Sequence, residues 1–151
     1  MRFLTLLLGL ALAAVAAAAA PGGPIAVVVN RQSPVEDLSE KQLKAAYQGY
    51  GLPGLKTPNI ALGYLRGEIE NTFNLTVLGI SSKKVKVFWL RRVFEGESDL
   101  RKILKSADEV KAFVGGSETS IGFIPAAEVD DSVKAISIGG KKHDDPGYLL
   151  R

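Results

Sequence analysis

The amino-acid sequence predicts an α/β fold, in which one mixed sheet is flanked by three or more helices. Short β-branched or alternating apolar runs are interspersed with longer segments whose apolar residues repeat at the helical period. Glycines, prolines and serine caps separate these two kinds of segment. The order of the strands within the sheet does not follow from these patterns.

The first twenty residues have the layout of an export signal. Met1 and Arg2 precede a mostly apolar stretch from Phe3 to Val15, and alanines continue to Ala20. This apolar stretch is shorter than the ~20 residues that a membrane span requires, and a membrane anchor is the alternative interpretation. We therefore expect residues 1–20 to be a signal peptide. Residues 21–151 are expected to form one soluble, periplasmic domain without a membrane span.

Composition restricts the chemistry of the chain. There is no cysteine, which excludes thiolate metal sites and cysteine nucleophiles and leaves stability to the packed core. The net charge of +3 is too small to indicate a nucleic-acid partner. His143, the only histidine, lies beside Asp144 and Asp145, a set that lacks a second neutral ligand for a metal. We expect no metal, no cofactor and no enzymatic activity.

Apolar patterns place four strands and four helices along the chain. Strands are predicted at 25–29, 60–64, 120–124 and 133–138, and helices at 39–48, 68–78, 82–95 and 107–114. Ser39 with Gln42 and Ser106 with Glu109 have the spacing of capping boxes. Trp89 has the helical spacing of a core residue.

Basic residues cluster at 83–92 and again at 101–105, and acidic residues are interspersed from Glu95 onward. A solvated helix face is the favoured interpretation of this cluster, and a binding site for a polyanion is the alternative.

Several short motifs occur together in an order that resembles one known family. These are Asn30 after a strand, the segment 38–43 (LSEKQL) with 47–49 (YQG), the segment 88–96 (FWLRRVFEG), the segment 121–124 (IGFI) and the ending 148–150 (YLL). In this order they resemble the substrate-binding proteins of phosphate-type ABC transporters, in the periplasmic-binding-protein superfamily. The resemblance spans nearly all of residues 21–151.

The resemblance implies a fold, a ligand and a partner. It implies a single periplasmic-binding-protein-like lobe, whereas full-length members have two lobes that clasp an anion between them. It also implies a small oxyanion such as phosphate as the ligand and an ABC permease as a partner. The alternative is an interaction module that keeps this fold without a ligand and binds another envelope protein.

The anion site of the family aligns with residues 66–73 (RGEIENTF). Arg66 and Phe73 match the family pattern, but the Ser/Gly/Thr-rich turn between them is absent and two glutamates stand in its place. Phosphate is usually held by hydroxyl and backbone donors that converge at the start of a helix. Arg66, Asn71 and Thr72 are therefore candidate ligand-binding residues, with a polar entrance to the helix as the alternative role.

Two further pairs of polar residues are candidates for ligand binding. Ser81 and Ser82 stand at the start of a helix, where unpaired amide groups can bind an anion, although plain helix capping is favoured. Asn30 and Ser33 follow the end of a strand, a position where open α/β sheets commonly bind ligands. The formation of a turn explains Asn30 and Ser33 nearly as well.

Overall fold

A computed structural model describes residues 22–151 of the chain. The predicted signal peptide lies outside these described residues, so its presence stays a prediction. The strands are β1 (Ile25–Val29), β2 (Asp37–Leu38), β3 (Ala61–Leu65), β4 (Arg101–Leu104), β5 (Ser120–Pro125), β6 (Lys134–Ala135) and β7 (Ser137–Ile138). The helices are α1 (Glu40–Tyr47), α2 (Glu68–Val77), α3 (Ser82–Phe94) and α4 (Ala107–Gly115), and a 3-10 turn covers Ala126–Glu128.

Five strands form a mixed sheet in the order β4-β3-β5-β1-β6, and β2 pairs with β7 beside it. Strands β3, β4 and β5 are parallel, whereas β1 runs antiparallel to β5. Ile25 lies opposite Pro125, and Val29 lies opposite Ile121. Strand β1 therefore begins at the same end of the sheet at which β3 and β5 end. The α/β prediction, with a mixed sheet flanked by helices, is confirmed.

Capping explains where the helices begin. At α1 the Ser39 hydroxyl accepts from the Gln42 amide at 3.1 Å, and the Gln42 side chain accepts from the Ser39 amide at 2.9 Å. This reciprocal pair is the predicted capping box. At α4 the Ser106 hydroxyl accepts from the Glu109 amide, but the Glu109 carboxylate accepts from Lys105 N at 2.7 Å. In this second pair the Glu109 side chain therefore binds the backbone amide of Lys105, the residue before the N-cap, and not that of Ser106 as a capping box requires.

Helix α4 packs on one face of the sheet at very close range. A side chain at Gly122 would place its Cβ 2.7 Å from Val110 Cγ1 and 3.1 Å from Val114 Cγ2. Gly63 in the neighbouring strand faces the Phe113 ring in the same way. Glycine at these positions lets the α4 backbone approach the sheet, since no side chain stands between them.

The opposite face of the sheet carries an aromatic cluster that joins α1 and α2 to the strands. The rings of Phe73 and Phe123 stack with centroids 4.0 Å apart, and Tyr47 meets Phe73 edge-on at 4.6 Å. Tyr64 meets Tyr47 edge-on at 5.3 Å. The Tyr47 hydroxyl donates to the Gly63 carbonyl at 3.4 Å, and burial raises the pKa of Tyr47 well above its ordinary value. Trp89 of α3 is fully buried, as predicted for a core residue.

Two parts of the sheet differ from the sequence prediction. The segment 133–138 is not one strand, because β6 pairs with β1 while β7 pairs with β2. Arg101 and Lys102 do not extend a helix face, since they lie in β4, the edge strand beside β3. Charged residues are common on edge strands, where solvent and not another strand meets one side.

The C-terminal tail closes over the start of β1. The Ile25 amide donates to the Leu150 carbonyl at 2.7 Å, and the Tyr148 hydroxyl donates to the Ile25 carbonyl at 2.9 Å. Both Tyr148 and Leu150 are buried. The C-terminal tail therefore contributes two side chains to the core. Within residues 22–151, no helix has the length and apolar character needed to cross a bilayer.

Candidate ligand-binding site

A cavity of about 650 Å³ opens at the edge of the sheet where β5 ends and β1 begins. It lies between the first turn of α2 and the residues that follow β5. In open α/β sheets, ligands commonly bind outside the carboxyl ends of the strands. A volume of this size falls within the range of ~300–1,000 Å³ that is usual for small-molecule sites.

The wall of the cavity is mainly apolar. Its apolar part comes from Pro24, Ile25, Ile69, Pro125, Ala126 and Leu150. Its polar side chains are Glu68, Thr72 and Arg151. Small-molecule sites typically combine an apolar lining with a few polar groups of this kind. The Glu68 carboxylate on this wall opposes the binding of an anion.

The start of α2 differs from the starts of the other three helices. Ser39, Ser81 and Ser106 cap α1, α3 and α4 with their hydroxyls, whereas Gly67 precedes α2 and supplies no side-chain cap. Gly67 has a φ of 121°, a region that favours glycine. The amide groups of the first turn of α2 are therefore not bound by an N-cap side chain and lie beside the cavity.

Arg66 follows the last residue of β3 and is exposed, with its backbone amide donating to the Leu104 carbonyl at 2.9 Å. It is not part of the cavity wall. Burial raises the pKa of Glu70, and the positive charges of Arg101 and Arg66 lower it. The net effect is a raised pKa of Glu70, which lies in the first turn of α2.

Three of the predicted polar residues lie where α2 meets α3, and these are Asn71, Ser81 and Ser82. The Ser82 amide donates to the Asn71 side-chain oxygen at 3.1 Å, and the Asn74 amide group donates to the Ser82 hydroxyl at 3.0 Å. The Ser81 hydroxyl accepts from the Lys84 amide, as helix capping requires. Asn71, Ser81 and Ser82 thus join or cap helices, while Thr72, on the same helix as Asn71, lines the cavity.

Asn30 and Ser33 lie at the opposite edge of the sheet from the cavity. Their role in ligand binding stays a prediction, and the structure places them away from the cavity, because β1 runs antiparallel to β5 and its carboxyl end meets the start of β5. The Asn30 side chain donates to the Val114 and Gly115 carbonyls, at 3.1 Å and 3.0 Å. It thereby binds the last turn of α4. The Ser33 hydroxyl accepts from the Val35 amide, as in a local turn.

The structure therefore brings only part of the predicted site together. Thr72 is the predicted residue on the cavity wall, and Arg66 lies one residue before the helix start that borders it. Ile25, Pro125 and Leu150 on that wall were not predicted as site residues. Pro125, which follows the predicted strand 120–124, is a signal that could have pointed to this wall. The positions of Ile25 and Leu150 depend on the antiparallel pairing of β1 with β5. Strand direction cannot be predicted from the residues of one strand.

Comparison with known structures places this architecture in a class. The fold is that of a single lobe of the periplasmic-binding-protein class. Within that class, the resemblance to phosphate-type ABC substrate-binding proteins is confirmed by the solved structures that match it. The sequence matches no protein-family model, and it matches no curated protein.

Three solved structures illustrate the similarity. An ABC-type phosphate transport receptor from Vibrio cholerae superposes with a TM-score of 0.63 at 23% identity, over 80% of this chain and 48% of the receptor. A putative phosphate ABC transporter substrate-binding protein from Clostridium perfringens, with bound phosphate, superposes with a TM-score of 0.63 at 25% identity, over 80% and 46%. PstS from Borrelia burgdorferi has a TM-score of 0.56 at 10% identity, over 84% and 53%. The chain thus spans about half the length of these proteins.

Proposed function

We propose that this chain is an exported, non-catalytic binding domain of the solute-binding type, and that it takes a small solute in the cavity beside α2. The observation that carries the proposal is the position of this cavity, at the carboxyl edge of the sheet and beside an uncapped helix start. The similar structures are named as a transport receptor and substrate-binding proteins, which supports binding and not catalysis. A small oxyanion such as phosphate is the first ligand to test.

Export is part of this proposal and rests on the sequence of residues 1–20. Fractionation of cells that produce the chain, followed by mass determination of the purified protein, tests it. A periplasmic protein that starts near residue 21 supports export. A protein that stays in the membrane fraction with its first residues intact contradicts it.

Isothermal titration of the exported protein with phosphate and with sulfate tests the ligand. We expect saturable heat that falls when Thr72→Val removes the hydroxyl from the cavity wall. Thr76→Val is the matched control, because Thr76 lies one turn further along α2, is exposed, and is not part of the wall. Glu68→Gln should strengthen anion binding by a few-fold, since it removes a carboxylate from the wall. Arg66→Ala should weaken binding if Arg66 turns toward the bound anion.

A second candidate function is favoured by one observation. Most of the polar side chains predicted to bind a ligand already hydrogen-bond within the protein, and these are Asn30, Ser33, Asn71, Ser81 and Ser82. Few donors then remain for a small anion. Such a lobe could act as an interaction module that binds another envelope protein or a permease. A flat titration with both oxyanions, unchanged in all four variants, would favour this second function.

A further inference from the structure

Helix α3 has an apolar stripe on its outward side. Val87, Leu90 and Phe94 form this α3 stripe, at spacings that place them on one helix face. Their exposed fractions are 52%, 51% and 84%. The opposite side of α3 carries Val85 and Trp89, which are buried against the domain. The stripe therefore has no role in the core of residues 22–151.

The stripe is bordered by positive charges that have no acidic partner in the described structure. Lys83, Lys84, Lys86 and Arg91 are exposed, and none of them forms an ion pair within residues 22–151. Helix α3 itself contains no acidic residue. The next charge along the chain after the stripe is Glu95. The outward side of α3 is thus both apolar and strongly positive.

Arg92, a cation on the inner side of the same helix, has contacts that the four outward cations lack within residues 22–151. Its guanidinium lies 5.3 Å from the centre of the Trp89 ring, donates to the Gln48 carbonyl at 2.6 Å, and pairs with Glu97. This cation is neutralised and packed, whereas the four outward cations are not. The contrast separates α3 into an inner side that packs against the domain and an outer side that does not.

The sequence favours a solvated helix face here. The basic residues of this face are exposed as expected, and large apolar residues, Val93 among them, are exposed beside them. Lysine and arginine stems can lie along apolar surface while their charged ends reach outward. An exposed apolar row flanked by such cations is the pattern of a helix that lies in a membrane interface.

We propose that the outward side of α3 binds the surface of an anionic lipid bilayer, with the stripe inserted at the level of the acyl chains and the four cations among the lipid phosphates. A second copy of the chain fits less well, because pairing two such faces would bring two sets of four unpaired cations together. A hollow of about 380 Å³ on this side is bordered by the stripe, Arg91 and Glu95. Within the described part of the chain, it has no ring of acidic residues that could neutralise those cations. A lipid surface supplies a continuous negative field that matches all four.

Co-sedimentation with vesicles tests the proposal, using the protein purified after export. One vesicle preparation contains phosphatidylcholine alone, and the other contains phosphatidylcholine with phosphatidylglycerol at three to one. We expect binding to the anionic vesicles only, weakened at 0.5 M salt because the charge attraction is screened. Replacing Lys86 by Gln should lower the partition coefficient about fivefold, the contribution expected of one cation near such a surface.

The double variant Leu90→Ser/Phe94→Ser should lower binding by about tenfold or more, since it removes most of the inserted apolar surface. Leu75→Ser is the matched control, because Leu75 is 50% exposed on α2 and outside the stripe. All three replaced residues are exposed, so unfolding curves that match the wild type confirm that the fold is kept.

Three results would overturn the proposal. The first is no binding to anionic vesicles, and the second is binding that the Leu90→Ser/Phe94→Ser variant leaves unchanged. The third is a dimer in solution that the same variant converts to a monomer, which would assign the face to a second copy. The oxyanion titration of the cavity is a separate measurement, and Thr72→Val should leave vesicle binding unchanged.

Discussion

Asn30 offers a sharp test of whether a predicted ligand residue is structural. Its side-chain amide donates to the Val114 and Gly115 carbonyls, and its side-chain oxygen accepts from the Gln32 amide at 2.9 Å. Asn30 is only 9% exposed, so water cannot readily replace these partners. A hydrogen bond contributes about 1 kcal/mol net, and Asn30→Ala would remove three; the Gly115 carbonyl would lose its partner, whereas the Val114 carbonyl still accepts from the Ser117 amide and the Ser120 hydroxyl. We expect Asn30→Ala to lower the free energy of unfolding by about 3 kcal/mol.

Urea unfolding followed by tryptophan emission measures this loss. Trp89 is the only tryptophan and is fully buried, so its emission reports on the core. With a usual urea slope of about 1–3 kcal/mol/M, the midpoint should fall by about 1–3 M while the slope stays unchanged. Asn59→Ala is the matched control, because Asn59 is exposed and its side chain makes no hydrogen bond within residues 22–151. The control should change stability by less than about 0.5 kcal/mol.

A second substitution at the same position separates the donors from the acceptor. Asn30→Asp keeps an oxygen for the Gln32 amide but directs a carboxylate at the Val114 and Gly115 carbonyls. We expect a loss at neutral pH at least as large as that of Asn30→Ala, and a smaller loss at acid pH, where the protonated side chain can donate. The reasoning fails if Asn30→Ala unfolds like the wild type. It also fails if that variant loses affinity for an oxyanion without losing stability.

Two other core contacts give predictions of known sign. Gly122→Ala should destabilise the fold by about 1–3 kcal/mol, because its Cβ would overlap Val110 and Val114. Urea unfolding should show that adding Val110→Ala restores part of the lost stability. A double variant no more stable than Gly122→Ala would refute the overlap. Burial raises the pKa of Tyr148 to about 12, so its contribution to stability is complete below about pH 10 and is lost as pH rises toward 12. Thermal unfolding at pH 8 and pH 11 should therefore show a smaller alkaline loss for Tyr148→Phe than for the wild type, and equal losses would contradict this assignment.

Local signals in the sequence predicted the elements well. Ser39 caps α1 because the side chains of Ser39 and Gln42, three residues apart, each accept from the backbone amide of the other. This pattern needs no tertiary information. The same holds for the serine caps of α3 and α4. The ordered set of motifs also predicted the periplasmic-binding-protein-like lobe correctly, since it carried information about the whole chain.

The candidate site was harder to predict because it depends on strand direction. Asn30 follows a strand, and a parallel strand would have placed it beside Arg66 and Thr72. Because β1 instead runs antiparallel to β5, Asn30 lies beside α4 and Ile25 lines the cavity. No local pattern encodes this reversal, since a buried strand has the same composition in both directions. Strand β4 was missed for a different reason, because its exposed edge carries charges in place of an apolar run.

The pairing of β1 with β5 has a consequence for the order in which the protein can assemble. Residues 25–29 are made early, but their partners in the middle of the sheet are residues 121–125, and residues 148 and 150 close over them later still. Most of residues 22–151 must leave the ribosome before β1 has its neighbours β5 and β6 on both sides. A nascent polypeptide in this condition cannot complete its sheet, which is compatible with the proposed export through a translocation channel.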